Sequence, residues 1–172
     1  MTKTVYRGKF LRVKKRDGWE FVERTRANGA AVILPLTRDG KIVLVEQFRP
    51  PLHRREIALP AGLVGDEKQK EAALTAAKRE LLEETGYGGG RWKFLATGPS
   101  SAGLTNEMIH FFAADGVIRC GEPNPQAGEK IEVHVVALAR LMPFLRRQEK
   151  AGRRVSYKIF AALYLFEQAR RA

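Results

Sequence analysis

Three glutamates near the middle of the chain have a spacing that suits metal binding. Glu80 and Glu83 are three residues apart and Glu80 and Glu84 are four apart, so a helix would carry the three side chains close together. Carboxylates this close repel one another and cost an isolated helix about 0.2–0.5 kcal/mol per pair. A divalent cation removes that repulsion, and an all-oxygen ligand set selects Mg²⁺ or Mn²⁺ over zinc. The pattern predicts a site for a hard divalent cation.

The residues around the glutamates separate this interpretation from a solvated acidic helix face, which the three acids alone would fit equally well. Gly65, Glu71, Arg79 and Gly86 stand at fixed intervals around them. Arg79 precedes Glu83 by four residues and can pair with it, which would fix one carboxylate and leave the others free. The two glycines mark positions where the backbone must turn. The complete spacing favours a functional site.

The glutamates are expected in a helix within residues 67–85, which Gly86 ends. Apolar alternation and turn residues predict strands on both sides of this helix. They are expected at residues 4–13, 19–23, 30–37, 41–48, 55–59, 92–97, 108–114 and 131–138. Apolar stripes at helical spacing predict two further helices, one from residue 138 and one over 156–170. The fold class is therefore α/β, a sandwich with a mixed sheet.

Individual strands have more specific expectations. Residues 41–48 are apolar on both faces, which places that strand at the centre of the sheet. Pro35 within residues 30–37 indicates an edge or a bulge, because proline lacks a backbone N–H. The two strands of the N-terminal segment, 4–13 and 19–23, are expected to be antiparallel and joined by a turn at Asp17-Gly18.

Composition indicates an ordinary globular domain. The chain has 172 residues, of which 44% are hydrophobic and 29% are charged. Its longest apolar run, residues 159–166, is far shorter than the roughly 18 residues that a membrane span needs, and the basic N-terminus lacks the apolar stretch of a signal peptide. Cys120 is the single cysteine, so we expect no internal disulfide and a reducing, cytoplasmic setting.

The charge of the chain is strongly basic. Lysine and arginine number 31 against 19 acidic residues, a formal net charge of +12. This balance favours polyanionic partners such as nucleotides, nucleic acid or a membrane surface. The basic residues are dispersed, however, and a solvated basic surface explains them as well. A nucleic-acid or membrane partner is therefore not expected.

The segment from Gly65 to Tyr87 resembles the Nudix box, Gly-x5-Glu-x7-Arg-Glu-U-x-Glu-Glu-x-Gly-U, in which U is bulky and apolar. Every fixed position matches, although Tyr87 at the last U is aromatic rather than aliphatic. Three further segments resemble the ADP-ribose and nucleoside-diphosphate-sugar pyrophosphatases of that superfamily. They are residues 46–50 (EQFRP), 59–63 (LPAGL) and 101–107 (SAGLTNE).

This resemblance covers roughly residues 5–168 and implies an α/β/α sandwich with the box as a loop–helix–loop. It also implies a homodimer whose N-terminal strands exchange across the interface. Residues 1–28 would then form an N-terminal strand segment in contact with the partner subunit and the substrate. Residues 29–172 would form the catalytic domain.

The resemblance also implies roles for the box residues. Glu80 and Glu84 look like the principal Mg²⁺ ligands, Glu83 looks like a further ligand, and a backbone carbonyl near Val64 would complete the metal shell. Mn²⁺ is a possible substitute. The metal ions would neutralise the diphosphate and activate a water that attacks one phosphorus in line. With ADP-ribose, the leading substrate, the products would be AMP and ribose 5-phosphate.

The catalytic base is implied to lie on a later loop, here residues 121–130. Glu129 is the first candidate and Glu122 is the second. If Glu129 is only a solvated loop residue, a box glutamate would serve, with Glu83 first. Arg79 would support catalysis by fixing Glu83.

Substrate contacts are implied on both sides of the box. Arg49 resembles the arginine that grips the diphosphate or the terminal ribose, a role that suits a planar guanidinium. Trp19 and Phe21 are candidates for stacking on the base, with core packing as the alternative. The other expected contacts are Glu56, Gly103 and Glu107.

Three departures leave the exact substrate open. Ala102 stands where the ADP-ribose enzymes usually have proline, Ala58 replaces a glutamate that Glu56 would supply from the same strand face, and Ala127 replaces a second loop carboxylate. GDP-mannose or another nucleotide sugar is therefore a second possibility. A hydrolase of nucleoside triphosphates or RNA 5′ ends is a third, supported only by the net charge of +12. A non-catalytic binding module is the fourth, although such modules tend to lose box carboxylates that this chain keeps.

Overall fold

The computed structural model describes residues 1–27, 29–65, 71–125 and 130–171. The strands in these ranges are β1 Lys3–Arg7, β2 Leu11–Arg16, β3 Trp19–Arg24, β4 Ala30–Thr37, β5 Lys41–Arg49, β6 Arg54–Ala58, β7 Ala61–Leu63, β8 Tyr87–Pro99, β9 Met108–Arg119, β10 Ile131–Ala137 and β11 Arg154–Val155. The α-helices are α1 Ala73–Thr85, α2 Leu141–Lys150 and α3 Lys158–Arg171.

The main sheet is mixed and lies between two helical layers. Its strands follow the order β11-β6-β5-β4-β9-β8, with β10 paired to β5 and β7 paired to β4. The β4–β9 and β11–β6 pairs are parallel. Alternate residues of β4 and β5 face opposite layers: Ile33 and Val43 pack with α1, whereas Leu34 and Leu44 pack with α2 and α3. This arrangement confirms the predicted α/β/α sandwich.

The N-terminal segment differs from its prediction in one respect. Residues 4–13 do not form one strand, because a turn closed by the Gly8 N–H and the Leu11 carbonyl at 2.8 Å divides them into β1 and β2. The result is a separate antiparallel sheet of three strands, β1-β2-β3. The predicted turn between β2 and β3 is present, with positive φ at Asp17 and Gly18. Residues 8–10 carry no Asn-Gly or Asp-Gly signal, which is why the first turn was missed.

Pro35 was predicted to mark an edge or a bulge, and it lies inside the sheet, so the edge was wrong. A register irregularity close to it fits the bulge. The strand β4 pairs with β9 over its whole length. On its other side it pairs with β7 at residues 30–32 and with β5 at Leu36. Pro35 falls between those two pairings, where a missing N–H removes no ladder bond. The β4–β9 register shifts immediately afterwards, between Leu36 and Thr37.

The N-terminal sheet contacts the loop that joins β8 to β9. The Val22 N–H donates to the Leu104 carbonyl at 2.8 Å, and Asn106 Nδ2 donates to Glu23 Oε1 at 3.2 Å. These bonds hold β3 beside the loop that joins β8 to β9.

None of the helices in the described ranges has the length and apolar composition that a membrane crossing requires.

Candidate active site

The helix α1 can bring the box glutamates close to the sheet because two of the residues that it packs against the sheet are alanines. Ala76, Ala77 and Leu81 are fully buried against β4 and β5, and the two alanines let the helix approach the strands closely. The helix ends at Gly86, which has a φ of 72° and donates its N–H to the Leu82 carbonyl at 2.8 Å. A Cβ at Gly86 would lie 2.2 Å from the Gly121 carbonyl oxygen, so both the backbone angle and the space require glycine.

Glu84 is held in place by two donors from the sheet side. It is 5% exposed. Gln47 Nε2 donates to its Oε1 at 3.1 Å, and the Ala61 N–H donates to its Oε2 at 3.0 Å. These bonds fix the plane of the carboxylate and turn it towards β5 and β7.

Glu80 lies against the backbone of β7. It is 8% exposed, and a Cβ built on Gly62 would come within 1.9 Å of the Glu80 Cδ atom. Gly62 is therefore the residue that makes room for Glu80. The Pro60-Ala61-Gly62 segment positions both acids, one by its N–H group and the other by its missing side chain.

Arg79 contacts more of the box than the sequence indicated. Its Nη1 lies 3.2 Å from Glu83 Oε2, as predicted, and also 2.8 Å from Glu80 Oε1. Its Nη2 lies 3.5 Å from Glu71 Oε2. The expectation that Arg79 leaves Glu80 without a contact was wrong, because Arg79 bridges both acids. Its guanidinium group thus holds three box carboxylates together.

This set of donors fits a hard divalent cation. Glu80 and Glu84 offer buried carboxylate oxygens, which are the ligands that Mg²⁺ and Mn²⁺ prefer. Val64, whose carbonyl was expected to contribute, is 4% exposed and donates its N–H to the Gly29 carbonyl at 3.0 Å. Its side chain packs in the core on the α1 side, which fixes the backbone just before the box.

Gly62→Ala is expected to displace Glu80 and to weaken Mn²⁺ binding about 10- to 100-fold, the range for residues that orient metal ligands. The added methyl group would occupy the space of the Glu80 carboxyl group, and the flexible Glu80 side chain would give way before the backbone does. Calorimetric titration with Mn²⁺ measures the effect.

The control for this substitution is Gly98→Ala, because a Cβ there meets no heavy atom within 4 Å. It should bind Mn²⁺ as the wild type does. Unchanged binding by Gly62→Ala would show that Gly62 does not set the position of a metal ligand.

Glu80 and Glu84 line a cavity of about 490 Å³. The other charged side chains around it come from five separate segments. They are the cations Arg24, Arg49 and Lys158 and the carboxylates Glu56 and Glu107. Arg49 Nε lies 3.0 Å from Glu56 Oε2, and Arg24 forms an ion pair with Glu107. The structure thus places predicted substrate contacts Arg49, Glu56 and Glu107 in the same cavity as the two acids.

The predicted aromatic contacts line a second hollow of about 410 Å³. Trp19 and Phe21 form it together with Arg16, Ala102, Thr105 and Asn106. Trp19 is 63% exposed, and its indole N–H donates to the Gly103 carbonyl at 3.2 Å. Gly103 therefore holds Trp19 through its backbone. Arg16 lies over the Phe21 ring, with its guanidinium carbon 5.5 Å from the ring centroid. An exposed indole beside such a hollow suits stacking on a planar ring better than core packing.

The three candidates for the catalytic base have different positions. Glu129, together with Ala127, lies outside the described residues. Glu122 is exposed, pairs with Arg119 at 2.7 Å and does not line the cavity. Glu83 is partly buried on α1, and its backbone carbonyl accepts from the Asn124 N–H at 2.8 Å. That bond ties the loop after β9 to the box helix.

A second cluster of possible metal ligands lies on the opposite face of the sheet. Oxygen or nitrogen atoms of Glu46, Glu132 and His134 lie within 4.8 Å of one another. Glu46 is 1% exposed and accepts hydrogen bonds from Arg55, His134 and Arg153. Burial raises the pKa of Glu46, but these hydrogen bonds outweigh it and hold the pKa below the ordinary value. Two arginines already neutralise this carboxylate, so the cluster serves as an ion-pair network.

Sequence reasoning missed three polar side chains that line or organise the cavity. Gln47 lies on the same face of β5 as Val43 and Val45, and that alternation alone could have directed it to the α1 side. Arg24 and Lys158 carry no comparable signal. They reach the cavity only through the contacts of β3 with residues 104–107 and of β11 with β6.

Comparisons with known proteins agree with this geometry. The NUDIX domain model matches residues 25–161. An ADP-ribose pyrophosphatase of Bacillus subtilis is 34% identical over 132 residues, which are 76% of this chain and 70% of that protein. A GDP-mannose pyrophosphatase of Yersinia pestis is 36% identical over 96 residues, 52% of this chain and 46% of that protein.

A solved structure described as an ADP compounds hydrolase has the same fold. It superposes with a TM-score of 0.73 over 98% of this chain and 90% of that chain, at 20% sequence identity. Nudix hydrolases generally use a divalent metal, which accords with the acids on α1. From the box, the sandwich fold and these relatives together, the chain belongs to the Nudix family as an ADP-ribose pyrophosphatase-like hydrolase that acts on pyrophosphate bonds.

Proposed function

We propose that this enzyme is a Mg²⁺-dependent pyrophosphatase of nucleoside diphosphate sugars, with ADP-ribose as the preferred substrate. The observation that carries the proposal is the single cavity in which Glu80 and Glu84 face Arg49 and Glu56. The hollow beside Trp19 supports it, because a base requires a stacking surface separate from the phosphate site. The similarity to ADP-ribose pyrophosphatase of Bacillus subtilis supports the same substrate.

The residues divide the chemistry among them. Glu80 and Glu84, with Glu83 and the Val64 carbonyl, would hold the cation. When bound, Mg²⁺ or Mn²⁺ supplies charge neutralisation at the diphosphate and acidifies a bound water. Gln47 and the Ala61 N–H keep the Glu84 carboxylate oriented for this role.

Arg49 is suited to hold the diphosphate. Its Nε is engaged by Glu56, and the guanidinium presents its remaining N–H groups in a fixed fork. That fork matches two oxygens of a phosphate or of a terminal ribose. Glu129, with Arg79 and Glu83 in support, is the proposed source of the base that takes the proton of the attacking water. The products would be AMP and ribose 5-phosphate.

GDP-mannose is the second candidate substrate. Ala102 lines the aromatic hollow at the position where the ADP-ribose enzymes usually carry proline. The smaller alanine side chain leaves more room in the hollow. The relative in Yersinia pestis that is a GDP-mannose pyrophosphatase supports this alternative.

A substrate panel tests the proposal. The purified chain with Mg²⁺ is offered ADP-ribose, GDP-mannose, dinucleoside polyphosphates, nucleoside triphosphates and 5′-triphosphate RNA, and phosphate is measured after phosphatase coupling. We expect the largest kcat/KM with ADP-ribose. A larger value with GDP-mannose would select the second candidate. No turnover of any diphosphate-linked sugar would refute both.

We further propose that the enzyme is cytoplasmic and forms a homodimer. Residues 1–28 would form the subunit contact and residues 29–172 the catalytic domain. The N-terminal segment exposes large apolar side chains at Val5, Tyr6 and Phe10, each more than half accessible. Apolar patches of this kind mark association surfaces. Sedimentation velocity at micromolar concentration tests the proposal, and a monomer under those conditions would contradict it.

A further inference from the structure

Lys158 reaches the cavity because the start of α3 is anchored to the sheet. The strand β11 pairs in parallel with β6, and the Ser156 N–H donates to the Ile57 carbonyl at 2.9 Å. Ser156 is buried, so the chain enters α3 at a defined point beside β6. Lys158, the first residue of α3, then lies partly buried in the wall of the cavity that also contains Glu56.

The other two cations of this cavity are engaged by carboxylates. Arg49 pairs with Glu56 and Arg24 pairs with Glu107. Among the described residues, no carboxylate lies within ion-pair distance of the Lys158 ammonium group. Lys158 is therefore the cation of this wall whose charge is least compensated by protein groups, and a partly buried ammonium gains most from an anionic ligand.

We propose that Lys158 binds a non-bridging phosphate oxygen of the diphosphate, as a substrate-binding residue that determines affinity for the doubly charged pyrophosphate link. The inference rests on the proposed function, because it assumes that a diphosphate occupies this cavity. The carboxylates of α1 hold the cation, and Lys158 supplies positive charge to the same phosphates from the start of α3. An ammonium group suits this role as a point charge that tolerates several phosphate orientations.

The position of Lys158 also implies which kinetic constant depends on it. A lysine that contacts a phosphate oxygen in the bound substrate and in the transition state alike lowers KM without changing kcat. A residue that contacts the developing charge alone would change kcat. We expect Lys158 to affect KM and not kcat, because the metal site, and not Lys158, would stabilise the charge that develops in the transition state.

The experiment compares Lys158→Met with Lys150→Met. Both substitutions remove one charge from the net +12, and Lys150 is exposed at the end of α2. The probe is α,β-methylene ADP-ribose, titrated calorimetrically in Mg²⁺. Lys158→Met is expected to weaken its binding about 10- to 100-fold, the range for a charge-assisted hydrogen bond, and to raise KM equally while kcat changes less than about threefold. Lys150→Met should match the wild type, and Lys158→Arg should recover most of the affinity.

One further measurement and one replacement variant make the outcome decisive. Mn²⁺ binding without nucleotide should be the same in Lys158→Met and wild type, and a weakened Mn²⁺ affinity would overturn the proposal by placing the effect at the metal site. Lys158→Gln replaces Lys158→Met if the latter unfolds.

Equal losses of affinity in the Lys158 and Lys150 variants would show that only the overall charge of the protein matters, and would overturn the inference. Unchanged binding by the Lys158 variants would overturn it while leaving the proposed function intact. A wild type that binds no ADP-ribose analogue would refute ADP-ribose as the substrate and this inference together.

Discussion

Glu84→Gln is expected to lower kcat/KM for pyrophosphate hydrolysis about a thousand-fold. A bound divalent cation supplies several kcal/mol of charge stabilisation, and a loss of about 4 kcal/mol corresponds to that factor. Glu84 is buried and receives hydrogen bonds on both oxygens, from Gln47 and from the Ala61 N–H. The glutamine side chain has the same shape but lacks the charge, and its amide group would face one of these two donors. A modest loss of stability, about 1–3 kcal/mol, should accompany the loss of activity.

The measurement is steady-state hydrolysis at saturating Mg²⁺, combined with a Mn²⁺ titration of the metal-binding constant. Glu149→Gln makes the same change in charge at an exposed position on α2 and should retain full activity. If Glu84→Gln hydrolysed every substrate of the panel at the wild-type rate, the assignment of the metal site to α1 would have to be abandoned.

Glu129→Gln is expected to lower kcat by roughly 10²–10⁴, the usual scale for a general base, while substrate binding persists. The acid limb of the pH profile of kcat/KM should shift or disappear, because that limb reports the ionisation of the base in the free enzyme. Single-turnover hydrolysis over a pH range measures both effects. A loss of less than threefold would assign the base to another residue.

Two neighbouring carboxylates provide the comparison for Glu129. Glu122→Gln should leave kcat unchanged, since Glu122 is exposed, pairs with Arg119 and does not line the cavity. Glu83→Gln removes a partner of Arg79 and should alter the metal requirement more than the pH profile. If Glu83→Gln instead abolished the acid limb and Glu129→Gln did not, the base would lie on the box helix.

The box helix could be predicted because its information is local. The i, i+3 and i+4 spacing of the glutamates, the alanines at Ala76 and Ala77 and the terminal Gly86 all act within one segment. The apolar alternation of β5 and the turn at Asp39-Gly40 are local in the same sense. These features specified the sandwich and the acidic wall of the cavity.

The positions of Arg24 and Lys158 in the cavity could not be predicted, because they depend on pairings between distant segments. The strand β11 has only two residues, Arg154 and Val155, and shows no alternation from which to recognise it. Its pairing with β6 nevertheless decides that Lys158 faces the site. Arg24 similarly depends on the bond from Val22 of β3 to Leu104 in the loop between β8 and β9. Side chains that converge through such contacts leave no spacing in the sequence.

The adjacent pair Glu46 and Gln47 on β5 has a consequence for how the sheet assembles. A slip of one residue in a strand exchanges its two faces. After such a slip Glu46 would point at Glu84, an anion against an anion in the interior, while Gln47 would face Arg55 and Arg153 and leave their charges uncompensated. The neutral amide and the carboxylate thus specify the register of β5. A strand shifted by one residue would carry an electrostatic penalty that the correctly paired strand avoids.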